Sequence, residues 1–235
     1  HFYNADILHA GRLNEIFNSI RPEMVLHLAA IHFIPYCNQH PYESANINIQ
    51  GTINVLKATK ACGSVKKVLF ASTAAVYPIY DDAISEEHTT GPMDIYGLSK
   101  LAGEHLCREF YYETNLPVII CRFFNAFGPN ETNPHLIPEI QRQINEGKRQ
   151  LQLGNLTPKR DFIHTSDMAI AIRLLLDKFT AGIDVFNLGR GIEYSVSEVV
   201  AAFEKQLGEK LEVIVDSARV RKVERMHLLA DISKL

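Results

Sequence analysis

Tyr96 and Lys100 stand four residues apart in Tyr96-Gly97-Leu98-Ser99-Lys100, a spacing that puts both side chains on one face of a helix. A phenol is a poor base at neutral pH because its ordinary pKa is about 10. An ammonium beneath it favours the phenolate, and a depression of about three units corresponds to roughly 4 kcal/mol. The hydroxyl of Thr73, in Ala71-Ser72-Thr73, could hold a substrate oxygen while Tyr96 moves its proton. The pair alone is a weak signal. With nine tyrosines in the chain, chance matches are common, and Tyr96 could simply pack while Lys100 is a solvated helix charge. The weight of the pair depends on the elements around it.

Those elements alternate. Short apolar runs at 24–28, 67–70, 118–121, 150–153, 184–188 and 211–215 read as parallel strands buried on both faces. Between them, residues 45–61, 95–114, 138–146, 167–179 and 196–207 show helical spacing of apolar side chains. Ser195 with Glu198 forms a capping box at the start of the last helix, and Gly147 and Gly208 are C-terminal stops. The alternation predicts an α/β fold, a doubly wound parallel sheet built from right-handed βαβ units. Ligands of such sheets bind beyond the carboxyl ends of the strands. That singles out Ala29-Ala30-Ile31-His32, Ala71-Ser72-Thr73 and Arg122-Phe123-Phe124-Asn125.

Composition narrows the class. The 235 residues are 46% hydrophobic and 22% charged with a net charge of −3, which suits a globular protein and predicts neither nucleic acid nor an anionic membrane as partner. No apolar run is long enough to span a membrane. Cys37, Cys62, Cys107 and Cys121 show no CxxC spacing. With residues 1–6 lacking a signal-peptide pattern, they predict reduced thiols in a cytoplasmic protein. The ten histidines lack HxxxH or HExxH spacing, so no metal site is expected.

In order along the chain, further motifs accompany the pair: Asp6-Ile7, His27-Leu28-Ala29-Ala30, Asn48-Ile49-Gln50-Gly51-Thr52, Ser72-Thr73-Ala74-Ala75-Val76-Tyr77, Arg122-Phe123-Phe124-Asn125 with Gly128-Pro129, Arg160-Asp161-Phe162-Ile163-His164 with Asp167, and Arg221 with Glu224. Together they resemble the NAD-dependent epimerase/dehydratase family, the extended short-chain dehydrogenases/reductases, and within it most the UDP-glucose 4-epimerases. The resemblance implies a Rossmann-like sheet with a smaller C-terminal substrate-binding region. The dinucleotide domain would cover 1–125 with 164–190 returning to it, and a nucleotide-sugar region 126–163 and 191–235. It implies Thr73, Tyr96 and Lys100 as catalytic residues. The cofactor NAD would meet Asp6, Ile7, Leu28, Ala29, Ala30, Asn48, Ala71, Ser72, Tyr96, Lys100 and Phe123. A UDP-sugar would meet His32, Thr73, Asn125, Leu136, Leu153, Arg160 and Arg221, with Leu228 as an apolar wall. The forked donors of Arg160 and Arg221 suit the two sides of a diphosphate. By analogy the protein is a homodimer through helices 45–61 and 95–114.

Two departures stand out. No GxxGxxG turn is present to receive a pyrophosphate. A segment of ~60 residues, the length of two βα units, is therefore expected upstream, and the chain reads as a fragment that by itself holds NAD poorly. It also stops early relative to the family. Ala74-Ala75 stands where family dehydratases carry proton-transferring carboxyl groups, which favours C4 epimerisation through a 4-keto sugar. His32 keeps a second acid or base open, hence a dehydratase, a reductase or a 3,5-epimerase. Val76-Tyr77-Pro78 is shared with the epimerase/reductases. A non-catalytic nucleotide-sugar-binding module is the alternative of another class.

Overall fold

The computed structural model describes residues 1–219 and 224–235. Its centre is a four-stranded parallel sheet in the order β1 (Met24–His27), β2 (Lys67–Thr73), β3 (Val118–Phe123), β7 (Ile183–Leu188). Helices α1 (Ala10–Ile20), α4 (Gly51–Cys62) and α5 (Ile95–Thr114) cover one face, where Val55, Leu56, Phe70, Cys107, Phe110 and Ile120 pack together. Helix α7 (Thr165–Lys178) covers the other, where Leu69, Ile119, Cys121, Met168 and Leu188 meet. Strands β2 and β3 are buried along nearly their whole length because helices lie on both sides of them. Burying one such Ile contributes roughly 1.5–3 kcal/mol. All four cysteines are buried and unpaired. No helix among the described residues is long and apolar enough to cross a membrane.

Strand β1 departs from the expected two-faced burial. Met24 and Leu26 are exposed while Val25 and His27 are buried, so the described residues cover one face of this strand. The predicted helix at 45–61 is helical throughout, with a π-turn inside it. Short helices α2 (Ile34–Gln39) and α3 (Pro41–Ala45) precede a π-turn at Asn46–Gln50 that leads into α4. Strand β2 runs three residues beyond the apolar stretch, so Ala71, Ser72 and Thr73 are themselves in the sheet.

The C-terminal half adds two small sheets. β4 (Asn125–Phe127), β6 (Lys159–His164) and β8 (Glu193–Ser195) form one, with β8 antiparallel to β6. β5 (Gln150–Leu153) and β9 (Glu212–Val215) pair in parallel, against α6 (Leu136–Asn145) and α8 (Val196–Leu207). The capping box of Ser195 and Glu198 opens α8, and Gly208 closes it in the left-handed region at φ 70°. A strap at 224–231 returns to the main body. Ala230 bridges Ile84, and buried Asp161 accepts from the N–H groups of Arg190, Gly191 and Ala230.

Candidate active site

Helix α5 carries Tyr96 and Lys100 and lies close on β2. Asp94 caps it, its Oδ1 accepting from Gly97 N at 2.7 Å. Two glycines permit the approach: a Cβ on Gly97 would overlap the Ala75 carbonyl, and one on Gly103 would overlap the Phe70 ring. The end of β2, the end of β3, the loop after β1 and the 131–139 segment then enclose a cavity of about 840 Å³. Thr73, Tyr96 and Lys100 all line it, as do Leu28, Ala30, His32, Ala71, Ser72, Phe123, Asn125, Leu136, Leu153 and Arg160.

Lys100 is 3% exposed, and its ammonium finds no hydrogen-bond acceptor among the described residues. It rests 4.2 Å above the Phe70 ring. Burial lowers its pKa to about 8. Burial also drives Tyr96 the other way from expectation, up to about 12, against a hydrogen bond from the Thr73 hydroxyl that pulls it down. The depressed phenol expected from the spacing is therefore not a property of the site by itself: desolvating the phenolate outweighs what the protein offers it. Asn125 supplies a second unanswered group, since its Oδ1 is buried without a hydrogen-bond partner. An unpaired cation and an unpaired acceptor in one cavity are groups that a polar ligand would satisfy.

Other predicted residues stand apart from the cavity or are engaged by protein partners. Asn48 is 2% exposed, and its side chain clamps the strand-end loop, accepting from Ile31 N at 2.8 Å and donating to Ile31 O and Ser99 Oγ, each at 2.9 Å. The π-turn gives it this reach, so it shapes the loop rather than touching the cavity. Asp6 is exposed and its Oδ1 accepts from Leu8 N, while Ile7 packs against Gly51. Ala29 does not line the cavity although its neighbours do. Leu228 packs with Ala74, Val76 and Phe124 instead. Arg160 lines the cavity, but its Nη1 donates to the carbonyls of Lys159 and Arg225 and its Nη2 pairs with Glu224 at 3.1 Å. It thereby anchors the strap as well as facing the cavity. Arg221 lies outside the described residues.

Several lining residues were not singled out by the motifs. His135 pairs with Glu131 on the segment opposite Tyr96 and stands 6.2 Å from the ring of His32. His32 in turn meets Asn133 Nδ2 at 3.0 Å, and burial lowers its pKa. Arg219 reaches the cavity while bonding Glu139 at 2.9 Å; the carboxyl of Glu139, between Arg142 and Arg219, is held down to about 2. The aromatic walls Phe33, Phe127 and Phe162 lack a spacing signature, because three separate segments bring them together.

Comparison with known proteins agrees with this arrangement. The NAD dependent epimerase/dehydratase family matches residues 1–189. The GDP-6-deoxy-D-mannose reductase of Pseudomonas aeruginosa is 31% identical over 98% of this chain and 78% of its own length. UDP-glucose 4-epimerase 2 of Oryza sativa subsp. japonica is 32% identical over 93% of this chain, which spans only 59% of that relative. Among solved structures, the UDP-glucose 4-epimerase from Bifidobacterium longum in complex with NAD+ and UDP superposes with a TM-score of 0.89 at 27% identity, over 99% of this chain and 75% of that one. The family match over residues 1–189 and these relatives show that the chain belongs to the NAD dependent epimerase/dehydratase family.

Proposed function

We propose that this protein epimerises a UDP-hexose at C4, using NAD. The observation that carries the reading is the convergence of Thr73, Tyr96 and an otherwise unpaired Lys100 ammonium on one strand-end cavity. NAD fits the groups present. Leu28, Ala30, Ala71, Ser72 and Phe123 offer a mainly apolar strand-end wall, and Lys100 offers donors with no protein acceptor. When bound there, NAD would supply the hydride-accepting and hydride-donating chemistry at the sugar carbon. Tyr96 removes the proton of the 4-hydroxyl and later gives it back, while Thr73 holds the same oxygen. Lys100 stabilises the Tyr96 phenolate, which must be present before the 4-hydroxyl proton is taken and is regenerated when the proton is given back. From a pKa of about 12, ionising Tyr96 at neutral pH costs on the order of 7 kcal/mol, which positive charge in the filled cavity must offset.

Ala74 and Ala75 follow Thr73 in a tight turn and cannot move protons, which favours epimerisation over dehydration. Asn125 and Arg160 would meet the nucleotide sugar, with Leu136 and Leu153 leaving the sugar room to turn. A second reading, reduction or 3,5-epimerisation of a nucleotide sugar, draws on His32 in the cavity and on the reductase relative. Residues 126–163 and 191–235 would form the sugar-nucleotide region. A homodimer through α4 and α5 would cover the exposed Leu98 and Tyr112 of α5; sedimentation as a monomer at micromolar concentration would count against it.

The test uses the full natural chain with NAD and UDP-, dTDP-, GDP- and CDP-hexoses, following product by chromatography. Interconversion of UDP-glucose and UDP-galactose is expected, and Tyr96→Phe should abolish it with nucleotide-sugar binding retained. Undiminished turnover in Tyr96→Phe, or no turnover of any sugar by the parent, refutes the reading. Consumption of reduced cofactor with a nucleotide 4-keto sugar, lost in His32→Ala, selects the second one.

A further inference from the structure

Ser72, Arg122 and Asn187 are register partners across β2, β3 and β7, so they form one polar row on one face of the sheet. The row is buried: Ser72 is 2%, Arg122 4% and Asn187 0% exposed. Glu104 of α5, itself 1% exposed, closes it. Arg122 grips that carboxylate with two donors, Nε to Oε1 at 2.9 Å and Nη2 to Oε2 at 2.7 Å, and Ser72 Oγ also donates to Oε1. Its remaining nitrogen Nη1 donates to Tyr77 OH at 2.8 Å, and Tyr77 OH donates to Asn187 Oδ1 at 2.8 Å. The guanidinium also lies 4.8 Å from the Tyr77 ring centre.

Glu104 sits four residues beyond Lys100 on the same helix, the spacing at which a carboxylate captures a lysine. It does not do so here; the ammonium rests on Phe70 and faces the cavity. We propose that Arg122 is a positioning residue that commits the Glu104 carboxylate to itself and thereby reserves the Lys100 ammonium for Tyr96. The proposal rests on the reading of Tyr96 and Lys100 as the proton-moving pair. Both oxygens of Glu104 are engaged by a forked, charge-assisted contact that a lysine cannot match. Without Arg122 a buried carboxylate would be left uncompensated, with Lys100 one turn away.

The other groups facing Lys100 do not replace this control. On α5 these are Tyr96 and Cys107, whose thiol burial pushes up to about 12. From β1 comes His27, lowered to about 4, and from the following loop His32, also lowered. Phe70 of β2 is uncharged. Among these described neighbours only Glu104 bears a carboxyl group.

The test is competitive acetylation of the full natural chain with acetic anhydride across pH 6–11, reading Lys100 by mass spectrometry. Arg122→Met should raise the Lys100 titration by about one unit, a roughly fivefold fall in labelling at pH 8. The double variant Glu104→Gln/Arg122→Met should return it to the parent value. Arg122→Lys, which keeps the charge but loses the fork, should move it in the same direction by less and serves where Arg122→Met does not fold. An unchanged Lys100 titration in the folded single variant, or a double variant shifted as far as the single, overturns the proposal. In turnover, the folded variants should lose kcat about tenfold or more with the basic limb displaced upward and KM for the nucleotide sugar unchanged. The labelling requires no substrate, so absence of turnover in the parent refutes the enzymatic reading without deciding the ion-pair arrangement.

Discussion

At the scale of the residue, the site is built from groups held in costly states. Lys100 is buried as an ammonium without an oxygen partner, and Asn125 Oδ1 is buried with none. Replacing Lys100 by Met removes the charge while keeping most of the stem. Turnover should fall by about 10²–10⁴ while the fold is kept or strengthened, since a buried charge is lost; kinetics beside a urea titration check both halves. Tyr96 and Lys100 were legible because a four-residue spacing has one meaning on a helix. Asn48 stood out by residue type and position in a motif, neither of which says where an amide points. Its clamp on Ile31 depends on a π-turn that no local spacing announces. Glu104 left no mark either, because its partner Arg122 is eighteen residues away on a strand.

At the scale of the element, helix α5 on strand β2 sets the geometry. Gly103→Ala in an open helix would add about 1 kcal/mol of stability. Here the new methyl meets the Phe70 ring, which is 1% exposed and has nowhere to move. Overpacking of this kind costs roughly 1–3 kcal/mol, so a net loss is expected, visible as a lower urea midpoint and a larger proportional loss of turnover. The strands of the central sheet were readable because they are apolar and short. Strand β6 was not read as one, because Lys159, Arg160 and Asp161 break the apolar pattern; Arg160 and Asp161 are satisfied by residues near 190 and 224–230. Helix α1 was missed as well, with only Leu13 and Ile16 buried to signal a face.

At the scale of the whole molecule, acid should unfold the protein early. His27 is 4% exposed, bonds Thr52 at 2.9 Å, and has its pKa lowered from 6.5 to about 4 by burial and then by Lys100. Between those values the unfolded chain binds a proton that the native state refuses, so stability rises with pH across that window and is lost as pH falls through it. The full loss below pH 4 is about 3 kcal/mol. His27→Gln should flatten this part of a stability-against-pH curve measured by urea unfolding; an unaltered slope between pH 6.5 and 4 would assign it to other groups. Glu139, held down to about 2 between Arg142 and Arg219, loses its contribution in turn as pH falls from 4.5 toward 2.

The strap has a consequence for biosynthesis. Leu229 O and Asp231 N bond Ile84, Leu228 O bonds Asp161 N, and Glu224 holds Arg160. A nascent polypeptide emerging from the ribosome can assemble the parallel sheet and its reactive helix long before residues 224–231 leave the exit tunnel. Until they do, Asp161 lacks its bond from Ala230 and Arg160 lacks Glu224. The wall of the cavity that Arg160 forms is therefore finished after Tyr96 and Lys100 are already in place, and a prematurely released chain would display those two side chains in an open cleft.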